Sequence, residues 1–203
     1  MAKNSRYCVP YRRRREGKTD YRKRKALVIS GKPRLVVRGT LKNIAIQIVA
    51  AKPYGDEVLV SAHSRELKNY GWKAPRGNLP AAYLTGLLCG FKAKAKGIKE
   101  AILDIGLRTP SKGARVFAAL KGVLDSGLEV PHGEEKLPDE KRLRGEHIAQ
   151  YAKNLSANTE KYMSAFSKYF ESKVPPESLP EHFAEVKKTL VAAFKSGGKN
   201  VGS

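Results

Sequence analysis

The chain has 203 residues, 41% of them apolar and 29% charged, and a formal net charge of +21. That balance excludes a wholly disordered chain, and no apolar run reaches membrane-spanning length. The charge is uneven: residues 1–38 hold 14 Lys and Arg against two acids, Glu16 and Asp20, a net of +12.

Residues 1–18 read as an extended arm, because Pro10 and Gly17 disfavour regular structure. Thr19 is the expected cap of a short helix running to about Ile29, with Asp20 in its first turn. Gly31 and Pro33 stop it. Three β-rich runs follow, over 34–38, 44–49 and 57–61, and the short polar turns between them predict an antiparallel meander. His63 to Leu67 reads as a strand exit with a helical turn. The polar loop 68–77 carries the single tryptophan, Trp72, beside Lys73 and Arg76. Asn78 caps a long apolar helix with Pro80 in its first turn, and Gly97 ends it.

Ala101 to Ile105 is a buried strand candidate, and Thr109 to Gly113 a loop. Arg115 to Leu124 is a helix, and Leu128 to Val130 a short last strand. The order predicts an α/β fold: a mixed five-stranded sheet with helices on its faces. Beyond Pro131, helices are expected over Asp139–Leu155, Asn158–Lys173 and Pro180–Lys195. Pro175-Pro176 interrupts the last two, and a tail rich in Gly and Lys covers 196–203. The organisation reads as a basic arm and short helix (1–30), a mixed core (31–131) and a helical extension (132–203). Tyr162, Met163, Phe166, Tyr169 and Phe170 share helical spacing. They either pack on the core or dock a partner, and spacing does not separate the two.

Chemistry is sparse. His63, His132, His147 and His182 are scattered, and Cys8 and Cys89 form no CxxC or Cys/His cluster. Both thiols read as reduced, as in a cytosolic protein. No Walker loop is present, and the charged N-terminus lacks the apolar stretch of a signal peptide. His63 and Ser64 are neighbours on a strand, so they point to opposite faces and make no nucleophile–base pair. Three antiparallel strands followed by alternating helices and strands is also a nuclease layout, but that chemistry needs several carboxylates converging on Mg²⁺. Arg34 to Arg38 has no acid, and Asp56, Glu57, Asp104 and Asp125 are dispersed. The reading is therefore of no enzyme, no cofactor, no metal and no small-molecule substrate. The arm has only Tyr21 as a bulky apolar group between Arg12 and Lys25, which speaks against a membrane surface. Clustered Arg and Lys laced with tyrosine suit RNA: guanidinium groups fork onto phosphates and rings stack on bases.

Several segments carry a resemblance. They are Tyr11-Arg-Arg-Arg-Arg-Glu-Gly-Lys-Thr-Asp-Tyr21, Gly31-Lys-Pro-Arg-Leu-Val-Val-Arg38, Leu59-Val-Ser-Ala-His-Ser-Arg-Glu66 and Asn78-Leu-Pro-Ala-Ala-Tyr-Leu-Thr-Gly86. With Leu103-Asp-Ile-Gly-Leu107, Gly113-Ala-Arg-Val-Phe-Ala-Ala-Leu-Lys-Gly122 and Arg144-Gly-Glu-His-Ile-Ala149, they resemble large-subunit ribosomal protein eighteen of archaeal type, the counterpart of eukaryotic large-subunit protein five. The likeness spans about residues 6–155.

It implies a cytoplasmic ribosomal protein with a ribonuclease-H-like core that lacks catalytic carboxylates. Its implied partners are 5S rRNA, large-subunit rRNA and neighbouring large-subunit proteins, and its implied role is to seat 5S rRNA in the central protuberance. The implied RNA contacts in the arm are Arg6, Tyr7, Tyr11, Arg12, Arg13, Arg14, Arg15, Lys18, Thr19, Tyr21, Arg22, Lys23 and Arg24. Beyond it they are His63, Ser64, Arg65, Trp72, Lys73, Arg76, Asn78, Arg108, Ser111 and Lys112. The alternatives are a divergent nuclease and a non-specific basic RNA chaperone.

Overall fold

The computed structural model describes residues 4–172 and 174–195, with Lys195 described in its backbone only. The expected tail over 196–203, the first three residues of the arm and Lys173 lie outside the described residues.

The arm is not wholly extended. Arg12–Arg15 forms a single helical turn, α1. The next helix, α2, covers Tyr21–Ile29 and is capped by Asp20 rather than Thr19. Asp20 Oδ1 accepts the backbone N–H groups of Arg22 at 3.0 Å and Lys23 at 3.2 Å. The Thr19 hydroxyl is engaged elsewhere, accepting from Arg13 Nε at 2.8 Å.

Four strands form the sheet: β1 (Arg34–Gly39), β2 (Ile44–Lys52), β3 (Gly55–His63) and β4 (Ile102–Asp104), in the order β3-β2-β1-β4. β2 is antiparallel to both β1 and β3, and β4 runs parallel to β1. The sheet thus has four strands and not five. Residues 128–130 make only an isolated parallel bridge, Glu100 to Glu129. Ala101 N–H reaches Glu129 O and Glu129 N–H reaches Lys99 O, and the pairing goes no further than this one bridge.

Alternation along the strands puts Leu35, Val37, Ile44, Ile46, Ile48, Val60 and Ala62 on one buried face. Helices α3 (Leu79–Ala95) and α4 (Arg115–Asp125) pack there. α3 is apolar on nearly every side because it is enclosed: sheet on one side, α4 on another, the extension on a third. The outer sheet face carries Arg34, Val36, Arg38 and Gln47. Together with Lys23, Arg24, Ala26 and Leu27 of α2, these line a groove of about 590 Å³.

The expected helix 139–155 is two helices, α5 (Glu140–Arg144) and α6 (Glu146–Leu155). Gly145 separates them at φ +86, and a Cβ there would press on Leu179 and Pro80. Helix α7 spans Thr159–Glu171, bent at Phe166, and α8 spans Leu179–Lys195. Their apolar side chains join the same core: Phe183 lies 5.6 Å from Tyr83, and Phe194 stacks on Phe91 at 5.3 Å. The aromatic face of α7 is split. Phe166 and Tyr169 are buried, whereas Met163 and Phe170 are about half exposed.

Candidate nucleic-acid interface

The acid that a nuclease would need most, Asp104 on β4, is fully engaged. Parallel pairing sets it opposite Val36, between Arg34 and Arg38. Its carboxylate meets Arg34 Nη1 at 3.1 Å and Arg38 Nη2 at 2.9 Å, and accepts Gly106 N–H at 2.8 Å. Arg38 also donates to the Asp104 carbonyl at 2.7 Å. Burial alone would raise this carboxyl, but the Arg38 hydrogen bond and charge, Gly106 and Arg34 together hold it below the usual value.

Asp56 is consumed in the same way: it lies 2.7 Å from Arg34 Nη2, off the N–H direction, and 2.8 Å from Arg24 Nη2. Asp125 accepts from the Tyr83 hydroxyl at 2.7 Å and pairs with Lys121. Among the described residues, no three His, Cys, Asp or Glu side chains gather as metal ligands.

The arm is the opposite kind of surface. Residues 4–18 are exposed throughout. Arg12 and Lys18 share Glu16 at 2.8 and 2.9 Å, Lys23 lies 3.9 Å from Asp20, and Arg24 reaches Asp56. Arg6, Arg13, Arg14, Arg15 and Arg22 make no ion pair among the described residues. Tyr11 is 72% exposed and sits 5.0 Å from the Tyr21 ring, and Tyr7 is open as well. The arm therefore presents free guanidinium groups beside accessible rings.

The remaining predicted contacts divide. Lys73 and Arg65 are exposed, as are Arg108, Ser111 and Lys112, and Arg76 is half-buried. Arg108 donates to the Gly39 carbonyl, which holds the loop against the end of β1. His63 accepts Arg65 N–H on Nδ1 at 3.1 Å. Its imidazole is pushed down, first by burial and then by the Arg65 charge.

Two predicted contacts are not surface groups. Ser64 is enclosed, and its hydroxyl accepts Ile44 N–H at 3.1 Å, tying β2 to the strand exit. Trp72 is 2% exposed, stacked on His182 at 5.1 Å. Both fix the loop's shape; neither presents a side chain to solvent. Asn78 is occupied twice, accepting Ala81 N–H at 2.9 Å and donating to the Tyr169 hydroxyl at 3.3 Å.

Lys73, Arg76 and Asn78 do come together. They line a cleft of about 890 Å³ with Lys42, Lys68 and Lys168, three cations the sequence reading passed over. Lys42 was legible as a basic turn residue without acidic neighbours; Lys168 is far away in sequence and only folding brings it in. Arg115 was also missed. It donates to the carbonyls of Thr40 at 3.0 Å and Gly77 at 2.9 Å, joining two loops beside this cleft.

A sheet whose Asp56 and Asp104 are held by arginine, beside an exposed basic and aromatic arm, has the features of an RNA-binding protein. The family model of ribosomal large subunit proteins 60S L5 and 50S L18 matches residues 5–97 and 92–133. The chain belongs to this family, and so is an RNA-binding structural constituent of the large ribosomal subunit and not an enzyme. The matched segments end before α5, so the extension α5–α8 lies beyond them.

Proposed function

We propose that this protein binds 5S rRNA and helps attach it to large-subunit rRNA in the central protuberance, acting in the cytoplasm beside neighbouring large-subunit proteins. The observation that carries this reading is the exposed arm, where five arginines without acidic partners stand among Tyr7, Tyr11 and Tyr21. Phosphate contacts from these arginines supply affinity, and RNA shape with stacked bases supplies specificity. The sheet order with β2 antiparallel and β4 parallel to β1 fits a ribonuclease-H-like core whose acidic centre has become an arginine–aspartate lock.

Titrating 5S rRNA at several salt concentrations tests this. Each lost phosphate contact lowers the slope of log affinity against log salt by about one. Arg12–Arg15→Ala should therefore weaken binding and flatten that slope by about three to four. Binding indifferent to salt would overturn the proposal. Equal affinity for unrelated RNA of the same length would favour the chaperone reading instead.

A further inference from the structure

We infer that the C-terminal extension is the second wall of an RNA clamp: α7 and the loop Lys68–Asn78 together grip one phosphodiester strand, apart from the arm. This rests on the RNA-binding reading above and adds to it a site and a task for the extension.

The cleft is open and basic. The Lys68–Asn78 loop supplies Lys68, Lys73 and Arg76; the turn between β1 and β2 supplies Lys42; α7 supplies Lys168. Among the described residues, Glu171 is the only acid lining it. Lys42, Lys68, Lys73 and Lys168 are all exposed. None of the five cations has an ion-pair partner among the described residues, whereas Lys92, Lys121, Arg144 and Lys32 elsewhere on the surface all do. Five like charges facing one space repel one another, and packing gives no reason to gather them. A chain of phosphates does. Leu41, 95% exposed on the rim, offers an apolar surface on which a sugar or base can lie.

The walls are held to each other by specific contacts. Asn78 Nδ2 donates to the Tyr169 hydroxyl at 3.3 Å, one residue from Lys168. His182 Nε2 accepts Lys73 N–H at 3.1 Å while its ring stacks on Trp72. The extension thus fixes the backbone of the loop that carries Lys73 and Arg76, and α7 brings its own lysine to the opposite side. A solvated basic face would need neither the enclosed tryptophan nor these two cross-links. The volume, about 890 Å³, is of the size of a ligand pocket, and its openness along the surface suits a strand passing through more than an enclosed small molecule.

The test is binding of the full chain to 5S rRNA and, separately, to large-subunit rRNA, each across a salt series. The Lys73→Ala/Lys168→Ala pair removes one cation from each wall, both of them exposed, so folding is preserved; circular dichroism and Tm verify this. The expected result is at least tenfold weaker binding to one of the two RNAs, with a salt slope about two lower. Protection of that RNA from hydroxyl radicals should disappear at one short stretch while the stretch covered by the arm remains. An unchanged slope and footprint, in a protein whose Arg12–Arg15→Ala variant still loses affinity, would overturn the clamp and leave the arm reading standing. If neither set of changes alters binding, the RNA-binding reading itself fails and the clamp with it.

Discussion

Arg34 is the buried cation at the centre of the sheet's outer face. Its side chain is almost wholly buried and reaches two carboxylates, Asp104 and Asp56. A buried ion pair contributes little against a well-packed apolar alternative, but removing one partner strands the other. Asp104→Asn should therefore destabilise the fold by about 3 kcal/mol, near the lower end for such losses because Asp56 still faces Arg34. Urea unfolding measures this, and a cost below about 1 kcal/mol would show that water reaches Arg34. The pH sign follows from the lowered folded-state value. The contribution is present above the ordinary carboxylate value of 3.8 and is lost as pH falls through the folded-state value.

His182 gives a second pH dependence. Burial pushes its imidazole down, the nearby Glu185 charge works against this, and Lys73 adds to it. The unfolded chain takes up a proton first, near the ordinary 6.5, so stability from neutral His182 is full above that value. It is then lost as pH falls toward the folded-state value. Wild-type Tm should drop between pH 7 and 5 more steeply than that of His182→Gln, whose amide oxygen can still accept from Lys73 and does not titrate. Parallel curves would show that His63 and His147, both also pushed down by burial, carry the whole effect.

At the scale of elements, the junction between α3 and α4 depends on the absence of side chains. A Cβ on Gly86 would overlap the Ala119 carbonyl, and one on Gly122 would overlap that of Tyr83. Backbone there meets backbone, with no flexible side chain to yield. Gly86→Ala and Gly122→Ala should each cost about 3 kcal/mol in urea unfolding, at the upper end for overpacking. Gly133→Ala, with open space around it, should stay within about 0.5 kcal/mol. A neutral Gly86→Ala would mean that the helices can part without loss.

Apolar periodicity marks both helices in the sequence, yet nothing in it marks which glycines meet a neighbour. The same divide runs through the rest of the chain. β-rich runs and the short polar turns between them mark β1, β2 and β3, and the Asn78 cap and the Pro175-Pro176 break stand where the sequence puts them. The fifth strand failed because pairing depends on a partner's free edge, which residues 128–130 find for one rung only. Ser64 and Trp72 are contacts that the resemblance implies, and the structure encloses both. Their burial is set by Ile44 and His182, which are distant in sequence.

Across the whole molecule, one charge distribution has two opposed consequences. A net of +21 on 203 residues repels itself, and no partner charge offsets it in the free protein. Salt screens that repulsion over about 10 Å at 0.1 M. It also weakens the ion pairs, but most of these are exposed and each contributes at most about 1 kcal/mol. The repulsion outweighs them because lysines and arginines outnumber acids 40 to 19, so most cations have no acid to lose. Raising NaCl from 50 to 200 mM should therefore raise the Tm of the free protein. The same change should cut its affinity for rRNA by about 10³- to 10⁵-fold if six to ten phosphates are contacted. Thermal melts and RNA titrations in matched buffers measure both. A Tm that falls with salt would mean that ion pairs such as Lys32–Glu100 and Arg24–Asp56 outweigh repulsion, so that the cations would be held by the protein's own acids rather than kept for phosphate.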